Sequence, residues 1–218
     1  MAILSNYATE SLVTASCQVD IRFLSRDKAE AQQLAKKMAL ASQLAQVDPY
    51  RATTHNKGIF NGIDAVVMAT GNDWRAIEAG AHAYAARNGS YQGLTQWQFD
   101  QDKQVLLGHM TLPMPIASKG GSIGLNPTVA LAHDLLNQPD AKTLAQVIAC
   151  VGLAQNFAAL KALTSSGIQA GHMKLHAKSL ALLAGAKEEE MMPLIKSLLT
   201  DKPMNLEKAD MYLKKLRQ

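Results

Sequence analysis

Between Val13 and Phe23 apolar and polar residues alternate. Val13, Ala15, Cys17, Val19, Ile21 and Phe23 take the odd positions; Thr14, Ser16, Gln18, Asp20 and Arg22 take the even ones. Successive side chains of an extended chain point to opposite faces, so a period of two predicts a strand with one buried side. The pattern then changes. DKAEAQQLAKKMALASQLAQ is rich in Ala, Leu, Lys and Gln, which sit well in a helix, and Ser25 stands where an N-cap belongs. Asp48-Pro49 closes that helix, because the ring of a proline forces the preceding residue out of helical geometry. GIFNGIDAVVMATGND is apolar apart from Asn61, Asp64 and its polar end. It fits a strand or a buried helix, and periodicity does not separate the two.

Further on, DWRAIEAGAHAYAARNG predicts a helix starting near Asp73 and stopping at Asn88-Gly89. YQGLTQWQFD and KQVLLGHMTLPMPIA predict two strands of an antiparallel hairpin. SKGGSIGLNP is a glycine-bearing loop, after which Pro127 can open a helix in its first turn. A long helix is expected from about Ala141 to Leu163. Beyond Gly167 three short amphipathic helical segments follow, HMKLHAKSLALLAG, KEEEMMPLIKSLL and NLEKADMYLKKL, with Lys202-Pro203 dividing the last two.

Composition narrows the class. In 218 residues, 48% are apolar and 18% charged, a balance that suits a folded globular chain with a sizeable core. The net charge is +4, but the Lys and Arg residues are scattered, which argues against a nucleic-acid surface. A mild basic excess suits an anionic small substrate equally well. Cys17 and Cys150 lie far apart without a CxxC pair, so two reduced, mostly buried thiols are expected. No apolar run is read as reaching the ~18 residues that cross a bilayer, and MAILSNYATE lacks the basic start and apolar stretch of a signal peptide. The expectation is a cytoplasmic chain with no membrane partner.

Two polar clusters could carry chemistry. DPYRATTHNKG, with Asn61 and then TGND, places Arg51, Lys57 and Asp73 around a segment expected to be buried. A lysine there needs a carboxylate partner, and Asp73 is the natural one, as a structural ion pair or as part of a site. The second cluster is GHMKLHAK, where His172 and His176 at i, i+4 share a helix face. Met173 replaces the glutamate of HExxH, so no metal is expected; an acid–base role for one histidine fits better. Lys178 would depress the pKa of a histidine if the two came close. His55, His82, His109 and His133 are expected to be surface or satisfied core residues. The ten methionines are read as core filling, and KGGSIG lacks both a Walker ending and a full GxGxxG.

The segments DPYRATTHNKGIFNGIDAVVMATGNDWRAIEAGAHAYAARNG, LPMPIASKGGSIGLNP, VGLAQNFAALKAL and GIQAGHMKLHAK together resemble the class II (bacterial-type) HMG-CoA reductases over nearly the whole chain. The resemblance implies an oxidoreductase converting HMG-CoA and two reduced nicotinamides, NADH or NADPH, into mevalonate and CoA, or the reverse. It implies that Lys57 stabilises the oxyanion, Asp73 holds that lysine, and His172 protonates the departing CoA thiolate. Arg51, Asn61 and Gln155 match substrate-contacting positions, and His176 has no counterpart. The implied fold is α+β, with mixed helices and antiparallel strands. Residues 1–10 would be the exit from an inserted nicotinamide-binding domain, 11–167 the later part of the large substrate-binding domain, and 168–218 a mobile C-terminal helical flap. The family forms dimers, so a homodimer or higher homo-oligomer is expected.

The family's catalytic glutamate, in an ENxxG-like segment, and its DAMGxN cofactor motif do not occur in these 218 residues. The cofactor-binding residues are therefore expected outside the chain, which would be a C-terminal portion that is inactive or impaired alone. The alternative is a non-catalytic fragment that folds and self-associates. A CoA-thioester hydrolase using His172 and Asp73 lacks support, because no GxSxG nucleophile elbow is present.

Overall fold

The computed structural model describes residues 1–121, 123–165 and 168–217, without the side chains of 168–170 and 172. Two compact units divide the chain, Met1–Thr164 and Ser165–Gln218. In the first, β1 (Leu12–Asp20) is followed by α1 (Lys28–Val47), α2 (Pro49–Ala69), α3 (Trp74–Ala85), β2 (Thr95–Asp100), β3 (Val105–Pro113), α4 (Pro127–Leu135) and α5 (Ala141–Thr164). In the second are α6 (Ile168–Leu183), α7 (Glu188–Thr200) and α8 (Leu206–Leu216). The class is α+β.

The three strands form an antiparallel sheet in the order β1-β3-β2. Val13, Ala15, Trp97, Leu106, Met110 and Leu112 are buried on one face, which packs against α1 and α5. The opposite face carries exposed Ser16, Gln96, Gln98 and His109. Gly108 stands between Cys17 on one neighbouring strand and Trp97 on the other. A Cβ built on Gly108 would collide with the Trp97 indole, so the glycine makes room for the largest side chain of the sheet.

Two boundaries differ from the sequence expectation. The alternation continues to Phe23, but the strand stops at Asp20, whose carboxylate accepts the Arg22 amide at 2.9 Å and tightens the chain into a 3-10 turn. Ile21 stays buried there while Phe23 is exposed. Helix α1 is capped by Asp27, which accepts the Glu30 amide at 2.7 Å, and Ser25 instead hydroxyl-bonds the Glu30 carboxylate. An ionised acceptor three residues before an orphan amide is the stronger cap.

The ambiguous apolar segment is helical, continuous with the polar cluster before it. Asp48 caps the start, Pro49 occupies the first turn, and the buried positions Ala52, His55, Asn56, Ile59, Phe60, Gly62, Ile63 and Val67 recur at helical spacing. That buried stripe lies on α5. The approach is close because small residues meet there: a Cβ at Gly62 would lie 3.0 Å from that of Gln155, and one at Gly152 would lie 2.8 Å from Cγ1 of Ile63. Although it holds no uninterrupted apolar run of membrane-spanning length, α5 is long and apolar enough to cross a membrane by length and composition, with a mean hydropathy of 1.5. Leu144, Ile148, Leu153 and Leu160 of this helix belong to the core of the first unit. Burial of both thiols is also corrected: Cys17 is half-buried but Cys150 is exposed.

The second unit has its own small core of Ala177, Leu180, Ala181, Leu194, Leu198, Ala209 and Leu213. Polar ties close its rim. Asp201 accepts from the Lys208 ammonium at 2.7 Å and the Tyr212 hydroxyl at 2.6 Å. Arg217 donates to both oxygens of Glu190, which holds that carboxyl at about 2 together with the Lys187 amide.

Candidate active site

Helix α2 presents Arg51, Lys57 and Asn61. Lys57 and Asn61, one turn apart, are both exposed on its surface. Gln155 of α5 is half-buried and lies directly against Gly62, the residue after Asn61. The close α2–α5 packing thus places Gln155 beside the turn of α2 that carries Asn61. Arg51, in the first turns of α2, is half-buried, and its Nε is buried with no hydrogen-bond partner among the described residues. Burying a guanidinium N–H without an acceptor is unfavourable.

Beneath Arg51 a buried polar network fixes the helix. His55 is buried, with Nε2 hydrogen-bonded to the Thr95 hydroxyl. Asn156 of α5 accepts both the Thr95 hydroxyl and the Trp97 indole N–H at 2.8 Å. Asn56 donates to the carbonyl of Gln92 at 2.9 Å and accepts the Leu94 amide at 2.8 Å. Burial and the neighbouring Arg51 charge push the His55 pKa down to about 4, so the imidazole is neutral near pH 7. Of the two places expected for His55, surface or core, it occupies the core, and it orders the helix that carries the candidate groups.

TGND forms the turn from α2 to α3. Gly71 adopts a φ of 75°, a left-handed conformation that glycine enters without steric cost, and Val129 of α4 packs where its Cβ would be. Asn72 clamps Ala117 from both sides, donating to its carbonyl at 3.0 Å and accepting its amide at 2.8 Å. His133 of α4 is buried against the Thr70 carbonyl at 3.1 Å. Asn72, Asn156 and Thr95 were not singled out from the sequence. No spacing signals them, since their long-range partners lie 40 to 101 residues away.

Asp73 caps α3 through the Arg75 amide and also accepts the Arg75 side chain, with both contacts at 3.1 Å. Those hydrogen bonds hold its carboxyl below the ordinary range. The expected buried Lys57–Asp73 ion pair is therefore not formed in this chain: the lysine is exposed, and the carboxylate is engaged by a guanidinium two residues away. His172 lies on α6, but its side chain is outside the described residues. His176 and Lys178 of the same helix are exposed. Among the described residues no group of three metal-binding side chains forms. A hollow of about 760 Å³ between α1 and β2, lined by residues such as Lys36, Leu40 and Gln98, is separate from these groups.

One further pair of acids stands on the adjoining surface. Asp64 of α2 faces Glu78 of α3, its Oδ1 is buried without a hydrogen-bond partner among the described residues, and burial together with the Glu78 charge raises the Asp64 pKa to about 6.

Comparison with known proteins gives a consistent result. The family model for hydroxymethylglutaryl-coenzyme A reductase matches residues 1–177. The chain is similar to the 3-hydroxy-3-methylglutaryl-coenzyme A reductase of Archaeoglobus fulgidus, with 42% identity over 217 residues, covering 100% of this chain and 48% of the relative. It is 37% identical to a probable enzyme of the same name from Borreliella burgdorferi, covering 100% of this chain and 50% of the relative. A solved structure of the Streptococcus pneumoniae reductase superposes with a TM-score of 0.75 at 67% identity, covering 98% of this chain and 51% of the other. The class II enzyme of that organism bound to NADPH in open conformations gives a TM-score of 0.73 at 67% identity, covering 98% and 52%. The chain spans about half the length of these relatives.

Proposed function

Because the chain belongs to the hydroxymethylglutaryl-coenzyme A reductase family, we propose that it supplies the substrate-binding and lysine-bearing part of a reductase that converts HMG-CoA to mevalonate and CoA, or the reverse. The observation that carries this reading is the buried, unpartnered Nε of Arg51 on the helix that presents Lys57 and Asn61. A free carboxylate is the ligand that such a guanidinium accepts most strongly. Asn61 and the adjacent Gln155 supply neutral hydrogen-bonding groups for the rest of the acyl unit.

The reduction consumes two nicotinamides, and the family's DAMGxN cofactor motif does not occur in these 218 residues. We assign cofactor binding, as NADH or NADPH, to a segment beyond this chain. Within it, the Lys57 ammonium would stabilise negative charge on the thioester oxygen, an effect that strengthens as water is excluded. Asp73 would hold that ammonium, which requires it to exchange Arg75 for Lys57. His172 would give a proton to the CoA thiolate as it leaves. We propose residues 11–167 as part of the substrate domain, 1–10 as its junction with the nicotinamide domain, and 168–218 as the flap. The Asp73–Arg75 pairing and the lack of the DAMGxN motif favour a second reading, a self-associating fragment without turnover.

Calorimetry of the purified chain separates the two. HMG-CoA should bind, with Arg51→Ala weakening it at least tenfold, about the 1.4 kcal/mol expected for losing a charge-assisted bond. NADH and NADPH should give no heat. Equal HMG-CoA affinity in the Arg51→Ala chain would remove the substrate assignment, and the absence of any HMG-CoA binding would leave the fragment reading in place.

A further inference from the structure

Helix α5 runs alongside strand β1, and two ties set the register between them. Near the start of both, Val13 and Thr14 of the strand and Lys142 and Gln146 of the helix line one hollow of about 330 Å³. Near their ends the Lys161 ammonium donates to the carbonyl of Phe23 at 3.0 Å, in the 3-10 turn that follows β1. A strand advances about 3.3 Å per residue and a helix about 1.5 Å, so Val13 to Cys17 covers about 13 Å and Lys142 to Cys150 about 12 Å. Counted back from the second tie, Lys161 to Cys150 covers about 16 Å along the helix. Phe23 to Cys17, part 3-10 turn and part strand, also covers about 16 Å. Both ties set Cys150 level with Cys17.

The two thiols also share a side. Cys17 lies in one row with Gly108 and Trp97, on the sheet face that packs against α5, and it joins the core there. On α5, Gln146, Cys150 and Phe157 recur at helical spacing on one face. Gln146 lines the hollow beside β1, and the Phe157 ring lies 5.5 Å from that of Trp97. Both neighbours of Cys150 on that face therefore meet the sheet. Burial pushes the Cys17 thiol up, a hydrogen bond to the Gly108 backbone opposes this, and the nearby Cys150 adds to the rise. Cys17 is half-buried while Cys150 is exposed, and the chain has no other cysteine.

We propose that these two cysteines are an oxidisable pair, in which Cys150 meets a peroxide and Cys17 resolves it into a disulfide between α5 and β1. The exposed Cys150 thiolate attacks one oxygen of hydrogen peroxide. The O–O bond breaks, the departing hydroxide takes a proton and leaves as water, and Cys150 becomes a sulfenic acid. The Cys17 thiol then gives up its proton, and its sulfur displaces the hydroxyl from the Cys150 sulfur, releasing a second water. Each sulfur loses one electron, and the two electrons reduce the peroxide to two waters. The half-buried thiol, held up by burial, is the slower to react with oxidant and the better placed to resolve. The cross-link ties β1 to the helix that carries Gln155 and Asn156. It closes a loop that contains α1, α2 and α3, and so restricts the unfolded chain far more than the folded one.

The test treats the full reduced chain with hydrogen peroxide, then alkylates it under denaturing conditions and reads the intact mass. The product should be lighter by two hydrogens and carry no alkyl group, and dithiothreitol should restore both thiols. Its urea midpoint should lie above that of the reduced chain. These readouts need no variant. Cys17→Ala should stop at the sulfenic acid of Cys150, trapped as a dimedone adduct, and its urea midpoint should not rise with peroxide. Cys150→Ala should leave Cys17 reduced and alkylated at the same dose. Circular dichroism checks that both variants are folded. Dimedone capture at Cys150 as complete in the unaltered chain as in Cys17→Ala would overturn the pairing, because Cys17 would then resolve nothing. So would cross-links found only between chains on a non-reducing gel, or two thiols still open to alkylation at a dose that oxidises Cys17→Ala.

Discussion

On α2, His55 and Asp64 hold protons differently from the unfolded chain, and in opposite senses. The imidazole titrates near 4 in place of its ordinary 6.5, through burial and the Arg51 charge. The folded state then binds fewer protons than the unfolded one, so the stabilisation is complete above pH 6.5 and is lost as pH falls through 4, about 3 kcal/mol in all. Asp64 titrates near 6 in place of 3.8. There the folded state holds the extra proton, so its contribution is present below pH 3.8 and is lost as pH rises through 6. Asp64 is partly exposed, and screening reduces its effect to about 1 kcal/mol. His55→Gln should flatten the fall in urea-unfolding stability between pH 6.5 and 4. Asp64→Asn should raise stability at pH 7 and steepen the same fall, because an opposing term has been removed. Identical pH profiles in wild type and both variants would show that neither residue carries a shifted proton.

Among the elements, the β1 alternation, the β2–β3 hairpin and the three terminal helices were legible because each buries a single face with a clean period. The segment from Gly58 to Ala69 was not. Its Gly, Ala and Val residues answer to the close α2–α5 approach, a requirement set by a helix about 90 residues later and invisible to local periodicity. The stop at Asp20 and the cap at Asp27 were missed for a related reason: a side-chain oxygen captured a nearby amide and overrode the hydrophobic pattern. Sheet packing makes a direct prediction. Gly108→Ala puts a methyl into the Trp97 indole and should destabilise the first unit by about 1–3 kcal/mol, the usual cost of overpacking. Denaturant unfolding measures this, and Gly108→Ala in a Trp97→Leu background should recover most of the loss. No recovery would locate the strain elsewhere.

Taken as a whole chain, the buried cores of the two units share no residue. Leu198→Ala, at a position 1% exposed in the second core, should cost about 2–5 kcal/mol there. Hydrogen exchange should show protection lost in α6, α7 and α8 and retained in α2 and α5. Uniform loss across both would mean that the chain unfolds as one cooperative body. At this scale the candidate site was legible chiefly as motif: NKG, TGND and GHM mark Lys57, Asp73 and His172 by resemblance. The arrangement of those groups was not. The engagement of Asp73 by Arg75 and the exposure of Lys57 depend on a capping turn and a helix face, which order along the chain does not specify.

The chain contains two tryptophans, and the fold gives them separate optical roles. Trp97 is 3% exposed, with its indole N–H held by Asn156 and its ring against Phe157. Its fluorescence should therefore be blue-shifted and sheltered from aqueous quenchers, a reporter of the first unit's integrity. Trp74 is 38% exposed and follows Asp73 directly. Iodide should quench that ring and not the other, so that one emission spectrum would resolve into a folding signal and a signal of what arrives beside Asp73.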